Sequence, residues 1–218
     1  MNYFSPFLYR DMDFNPRWGA HVARLFYRFI GFRFVWTRWE FPYILNAAGL
    51  TGEGAEIGVL HGDYSVYLLR NWKGKILHSV DPWRNFGAGD YVDINHHSDE
   101  AFEGIHRQAV ENLAPFGERS KILRQASPQA AGQFADGQFD FVFVDAQHQY
   151  EGAKQDLEAW WPKVRSGGIL AGHDYLDGLI PEGNFGVKSA VDEFARNRGL
   201  RVCVSHESSF RSFFIRRP

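Results

Sequence analysis

The chain has 218 residues, 44% of them hydrophobic and 23% charged, enough for one sizeable core but too few for two full domains. Its formal net charge of −2 supplies no basic field, so nucleic acid is not an expected partner. The single Cys203 excludes an intramolecular disulfide, and no apolar run approaches the roughly 20 residues of a membrane-spanning helix.

The N-terminus, MNYFSPFLYRDMDF, lacks a basic stretch followed by an unbroken apolar core, so no signal peptide is expected and a cytoplasmic location is. Residues 1–45 differ in composition from the rest of the chain, with 15 of the 36 aromatic residues, six arginines and no lysine. Within them HVARLFYRFI (21–30) sets Arg24 and Arg28 opposite an aromatic stripe, as an amphipathic helix does. An active-site lid or a homodimer interface is the expectation; a membrane-surface contact ranks below them, because only two arginines flank the stripe. The chain is thus divided into an N-terminal lid or dimerisation segment, 1–45, and a main domain, 46–218.

From Gly52 onward, strand-like and helix-like runs alternate. AEIGVL (55–60) reads as a strand entering a glycine turn, YSVYLLRNW (64–72) as a helix, and KILHSVD (75–81) as a second strand. An irregular stretch with His96 and His97 comes next, and those two histidines read as solvated or substrate-facing. SDEAFEGIHRQAVENL (98–113) opens on a good helix start and carries His106 on one face. SKILR (120–124) is a third strand, with a short helix near Pro128. FDFVFVD (139–145) is the apolar run of a strand covered on both faces. YEGAKQDLEAWWPKV (150–164) is helical, with Leu157, Trp160, Trp161 and Val164 on a core-facing stripe. GGILAGHD is a fifth strand and VKSAVDEFARNRG (187–199) a helix closed by Gly199. LRVCVSHE and RSFFIRR form a terminal antiparallel hairpin. Five strand–helix units and that hairpin predict an α/β sandwich around a mostly parallel sheet. Right-handed crossovers bring the carboxyl ends of the parallel strands to one rim, where ligands bind.

The residues ending those strands suggest a ligand. EIGVLHGDYS is not the G-x-G-x-x-G of a dinucleotide site, although Gly58 and Gly62 permit a tight turn. Asp81, ending the second strand, can accept the two hydroxyls of a ribose. Glu56, an acid near the end of a central strand, needs a partner, and an amino acid's ammonium group would serve. A nucleoside joined to an amino acid is S-adenosylmethionine. His61 reads as a turn residue.

AEIGVLHGDYSVYLLR, HSVDPW, the block from Phe139 to Tyr175 and FGVKSAVDEF resemble the small class I S-adenosylmethionine-dependent methyltransferases. Among these they are most similar to the metal-assisted O-methyltransferases of sugar hydroxyls, including the macrolide-sugar enzymes. The resemblance covers about residues 50–200. It implies a Rossmann-like, seven-stranded, mostly parallel sheet with a final antiparallel strand. It also implies cofactor contacts at Glu56, Gly58, Asp81 and, near the adenine, Ser127.

Methyl transfer to a hydroxyl needs help with the proton, from a divalent cation, a general base or both. Asp145 and Asp174 end neighbouring strands, so their carboxylates can converge on one ion, and His148 lies three residues past Asp145 as the expected base. In the enzymes resembled, an aspartate and a histidine at this spacing serve as magnesium ligand and base. The family often has a carboxylate where this chain has His173; as a ligand its imidazole makes manganese as suitable as magnesium, and the alternative is that His173 lies just outside the ion's ligands. The expected function is methylation of a hydroxyl on a saccharide or glycosylated small molecule. The alternatives are a phenolic or catechol acceptor, or a binding module without catalysis.

Overall fold

A computed structural model describes residue 35, residues 37–84 and residues 98–218. Strands β1 (Glu53–Ile57), β2 (Ile76–Val80), β3 (Ser120–Leu123), β4 (Phe139–Val144) and β5 (Val164–Gly172) are joined by a short hairpin, β6 (Asp177–Ile180) and β7 (Gly183–Gly186), to the terminal strands β8 (Val202–Val204) and β9 (Phe213–Arg216). The main sheet has seven strands in the order β3-β2-β1-β4-β5-β9-β8. Its first five strands are parallel, and β9 pairs antiparallel with both β5 and β8. The α/β sandwich with a mostly parallel sheet and an antiparallel terminal hairpin is therefore as the sequence predicts. Strand order reverses between β1 and β4, which makes their carboxyl ends the place where a crevice opens.

The α-helices among the described residues are α1 (Phe41–Ala47), α2 (Asp63–Asn71), α3 (Asp99–Leu113), α4 (Ser127–Ala131), α5 (Tyr150–Trp160) and α6 (Val187–Asn197), with short 3-10 turns at Arg38–Glu40, Ala114–Arg119 and Trp161–Lys163. All six residues of β4 are buried, as expected of a parallel strand covered on both faces. Val142 and Val144 join a core with Leu157 and Trp160 of α5 and Val191 and Phe194 of α6. Phe141 and Phe143 enter the opposite core with Phe41 and Leu45 of α1 and Leu68 of α2. Thus the period-two alternation of one strand serves two layers. Helix α3 starts where its sequence signals it: Ser98 Oγ accepts from Ala101 N–H at 3.2 Å, with Asp99 and Glu100 in the first turn.

Residue 45, the compositional boundary, falls inside α1. Val35, Phe41 and Leu45 are buried in the core of the main sheet, and Phe41 packs with ring centroids 5.2 Å from Phe141 and 5.4 Å from Phe214. The 21–30 segment, His96 and His97 lie outside the described residues. Among the described residues no helix is long and apolar enough to cross a membrane.

Strand β1 stops three residues before the sequence suggests. Gly58 adopts φ 85° and donates its N–H to Val80 O at 2.9 Å, which turns the chain away from the strand. A Cβ at this position would lie 1.9 Å from the backbone oxygen of Asp145, so only glycine lets the β1–α2 turn lie against the end of β4. Replacing Gly58 by alanine is expected to cost at least about 2 kcal/mol of stability in urea unfolding. An unchanged unfolding midpoint would show that this contact is dispensable.

Candidate active site at the carboxyl ends of the parallel strands

Glu56 sits on β1 with 2% of its surface exposed. It accepts a hydrogen bond from Ser65 Oγ on α2, and Ser65 Oγ lies 3.0 Å from Ser79 Oγ on β2. No ion pair reaches Glu56 among the described residues. Burial pushes its carboxyl up to about 8; Ser65 and Arg38 oppose the shift, while Asp145 and Asp81 add to it. Glu56 is an acid held largely neutral until a cation comes close.

Asp81 braces the adjoining turn. Its Oδ2 accepts from Val59 N–H at 2.8 Å and Leu60 N–H at 3.0 Å, and Oδ1 accepts from Trp83 N–H at 2.7 Å. Burial raises its pKa and these three bonds counter the rise. A carboxylate oxygen has two lone pairs, so Oδ1 retains capacity for a ribose hydroxyl. Ser127 is turned inward: its hydroxyl donates to Asp156 and accepts from Trp160 Nε1 at 2.9 Å. Trp160 is thereby a core residue with a satisfied indole. His61 contributes its carbonyl to Asn112 at 2.9 Å, and His106 on α3 packs 4.7 Å from the ring of Trp83.

Beyond β4 and β5 the structure gathers Asp145, His148, His173 and Asp174. His148 Nε2 lies 2.9 Å from Asp174 Oδ2 and His173 Nδ1 lies 2.8 Å from Asp174 Oδ1. The same two ring nitrogens stand 4.0 and 3.9 Å from Asp145 Oδ1. Burial would raise the Asp174 carboxyl, but bonds from both imidazoles outweigh that and hold it well below the ordinary carboxylate range. Asp145 is pushed the other way by burial and the nearby Asp174 charge, against the pull of His173, Arg38 and His148. Donor atoms of Asp145, His148 and Asp174 all lie within 4.8 Å of one another. Two carboxylates and an imidazole at that spacing fit one divalent ion of the magnesium or manganese kind.

Three residues of this site escaped the sequence reading. Arg38 Nη1 lies 3.2 Å from Asp145 Oδ2, yet nothing in the sequence distinguishes Arg38 from the other five arginines of its segment. Ser65 reads there as one helix position among nine. Phe185 of β7 stacks on the His148 ring at 4.8 Å and 13°, in a stretch without any recognisable period. The neighbouring Gly186 N–H also bonds to His148 O at 2.8 Å, so the β6–β7 hairpin holds His148 by both backbone and ring.

The sequence profile of the methyltransferase-domain family matches residues 55–175. This chain belongs to that family. The match runs from β1 to just beyond Asp174, so it encloses Glu56, Asp81, Asp145 and both histidines. Among curated proteins, the chain is 28% identical over 120 residues to the uncharacterized protein y4gI of Sinorhizobium fredii. That likeness takes in 55% of this chain and 12% of the much longer relative. Solved structures of similar fold include an O-methyltransferase family protein from Burkholderia thailandensis, 12% identical, covering 93% of this chain and 59% of that one at TM-score 0.59. Another is a Staphylococcus aureus protein proposed to be a caffeoyl-CoA O-methyltransferase, 14% identical, covering 90% and 91% at TM-score 0.59. At such identities the likeness is one of fold.

Membership of a methyltransferase family implies S-adenosylmethionine, and Glu56 fits it: a buried acid with no ion pair among the described residues is what an ammonium group would satisfy. The state of Glu56 is measurable without the cofactor. Its folded pKa lies above the ordinary 4.5, so the folded protein holds the extra proton and stability is lost as pH rises from about 4.5 through about 8. Glu56→Gln is expected to remove that loss, gaining on the order of 2 kcal/mol over wild type near pH 8.5 and almost nothing near pH 4. Thermal-stability profiles against pH that run parallel in the two proteins would show that Glu56 is charged in the free protein.

Proposed function

We propose that this protein is an S-adenosylmethionine-dependent, divalent-metal-assisted O-methyltransferase acting on a hydroxyl of a small saccharide or glycosylated metabolite. The observation that carries the reading is the convergence of Asp145, His148, His173 and Asp174, with the two imidazoles 2.9 and 2.8 Å from Asp174 and 4.0 and 3.9 Å from Asp145. Glu56, Gly58 and Asp81 would hold the cofactor, which when bound supplies a methyl group on a positively charged sulfur. A divalent ion held by Asp145, Asp174 and His173 would lower the pKa of the acceptor hydroxyl. Asp174 orients the imidazole of His148 through Nε2, and the ionised Asp174 stabilises the imidazolium formed when His148 takes the proton. Phe185 restricts the ring plane and so limits the directions from which a hydroxyl can be deprotonated. The saccharide class rests on the likeness of the Asp145-x-x-His148 spacing to that of sugar O-methyltransferases.

A second assignment is favoured by the donor spacing itself: His148 completes the ion site and His173, held by the other oxygen of Asp174, takes the proton. One variant separates the two. His148→Ala is expected to lower kcat by roughly 100-fold or more, the usual contribution of a general base, with binding of S-adenosylhomocysteine and of Mn2+ retained. Loss of Mn2+ binding in that variant would transfer the base role to His173. With a sugar acceptor, treatment with EDTA is expected to abolish methyl transfer and Mg2+ or Mn2+ to restore it, whereas a catechol acceptor is not expected to turn over. Full activity after chelation would end the metal-assisted reading, and turnover of the catechol alone would end the saccharide one.

A further inference from the structure

Asp145 presents its two oxygens to different neighbours. Both imidazole distances, 4.0 Å from His148 and 3.9 Å from His173, run to Oδ1, whereas Oδ2 faces Arg38 Nη1 at 3.2 Å. Arg38 is not a stray surface cation: its side chain is 22% exposed and the residue is gripped from several sides. Its backbone N–H donates to Glu207 Oε1 at 3.2 Å, and its carbonyl accepts from Tyr64 OH at 3.0 Å. Glu207 is itself held by the hydroxyls of Ser205 and Ser212. The guanidinium carbon sits 5.0 Å from the centroid of Trp39 and 5.1 Å from that of Tyr64, within the range of cation–π attraction. An arginine anchored by backbone, rings and ion pair in this way fixes the carboxylate it touches.

We propose that Arg38 is a positioning residue that reserves Asp145 Oδ2 for itself, restricts Asp145 to one ligating oxygen, and thereby selects a small octahedral ion over calcium. This inference rests on the metal-assisted reading above. Mg2+ and ions of its size take single carboxylate oxygens in a compact octahedron, whereas Ca2+ favours six to eight oxygens and readily accepts both from one carboxylate. A guanidinium at Oδ2 draws on that oxygen's charge and crowds its approach, which disfavours the two-oxygen mode at Asp145 relative to the single-oxygen one. The nearby positive charge also weakens any cation, but it does so for Mn2+ and Ca2+ alike. Charge therefore moves both affinities together, and denticity changes their ratio.

The test is Mn2+ binding to the full chain, monitored by electron paramagnetic resonance of the free ion, with Ca2+ as competitor. In wild type, Ca2+ is expected to bind at least roughly tenfold more weakly than Mn2+. In R38Q both ions are expected to bind more tightly, Ca2+ by the larger factor, so that the Mn2+/Ca2+ ratio narrows about tenfold. R38K, which keeps a cation able to make the single contact to Oδ2, is expected to restore most of the wild-type ratio. A ratio unchanged in R38Q overturns the proposal while leaving the metal reading intact. Wild-type protein that binds Ca2+ as tightly as Mn2+ overturns it without any variant. Failure of wild type to bind Mn2+ removes the metal reading, and this inference with it.

Discussion

The site depends on how negative charge is accommodated where four adjacent parallel strands end. Glu56, Asp81, Asp145 and Asp174 belong to or lie just past β1, β2, β4 and β5, which are neighbours in the sheet. Withdrawing a carboxylate from water is costly unless it is paired, hydrogen bonded or neutralised. Each of the four meets that requirement differently: Glu56 keeps its proton, Asp81 takes three backbone N–H groups, Asp145 pairs with Arg38, and Asp174 binds two imidazoles. These solutions suit the proposed function: a neutral acid would accept an incoming ammonium, the backbone-braced acid stiffens the turn beside it, and the pair nearest the histidines would face a divalent ion.

Backbone geometry pays for this arrangement. Leu60, Trp83 and Asp174 have φ of 49°, 42° and 54°, and all three lie just beyond the ends of β1, β2 and β5. Left-handed conformations in residues other than glycine cost on the order of 1 kcal/mol or more and persist only where the surroundings impose them. Here the surroundings include the bonds from Asp81 to the Val59–Leu60 turn and the paired imidazoles on Asp174. The two buried cores on either face of β4 supply the stability that lets this rim remain strained.

The β6–β7 hairpin connects the two halves of the site. It leaves the sheet just after Asp174, returns through Phe185 and Gly186 onto His148, and leads directly into α6. A Cβ on Gly186 would lie 2.7 Å from the backbone nitrogen of Tyr150, so the hairpin closes tightly over the start of α5. Asp174 and His148 are therefore linked by a direct hydrogen bond and by the hairpin whose Gly186 and Phe185 contact His148, and both contacts restrict the imidazole.

Alternation and turn signals in the sequence were sufficient for the seven strands of the main sheet, the helices from α2 onward and the acids at the strand ends, because apolar period and strand termini are local properties of the chain; α1 and the β6–β7 hairpin carried no such signal. Glu56, Asp81, Asp145, His148 and Asp174 were legible for that reason: each ends an apolar run or lies just past one. The end of β1 at Ile57 was not, since it depends on the approach of Gly58 to the Asp145 carbonyl across the sheet. The inward turn of the Ser127 hydroxyl depends on Asp156 and Trp160 of another element. Arg38 and Asp145 are 107 residues apart, and no local pattern relates them. Only the tertiary structure decided which cation faces which carboxylate oxygen, because that pairing arises from packing α1 and the turn before it against the sheet, and the energies of buried charges depend on distance in space and not on order along the chain.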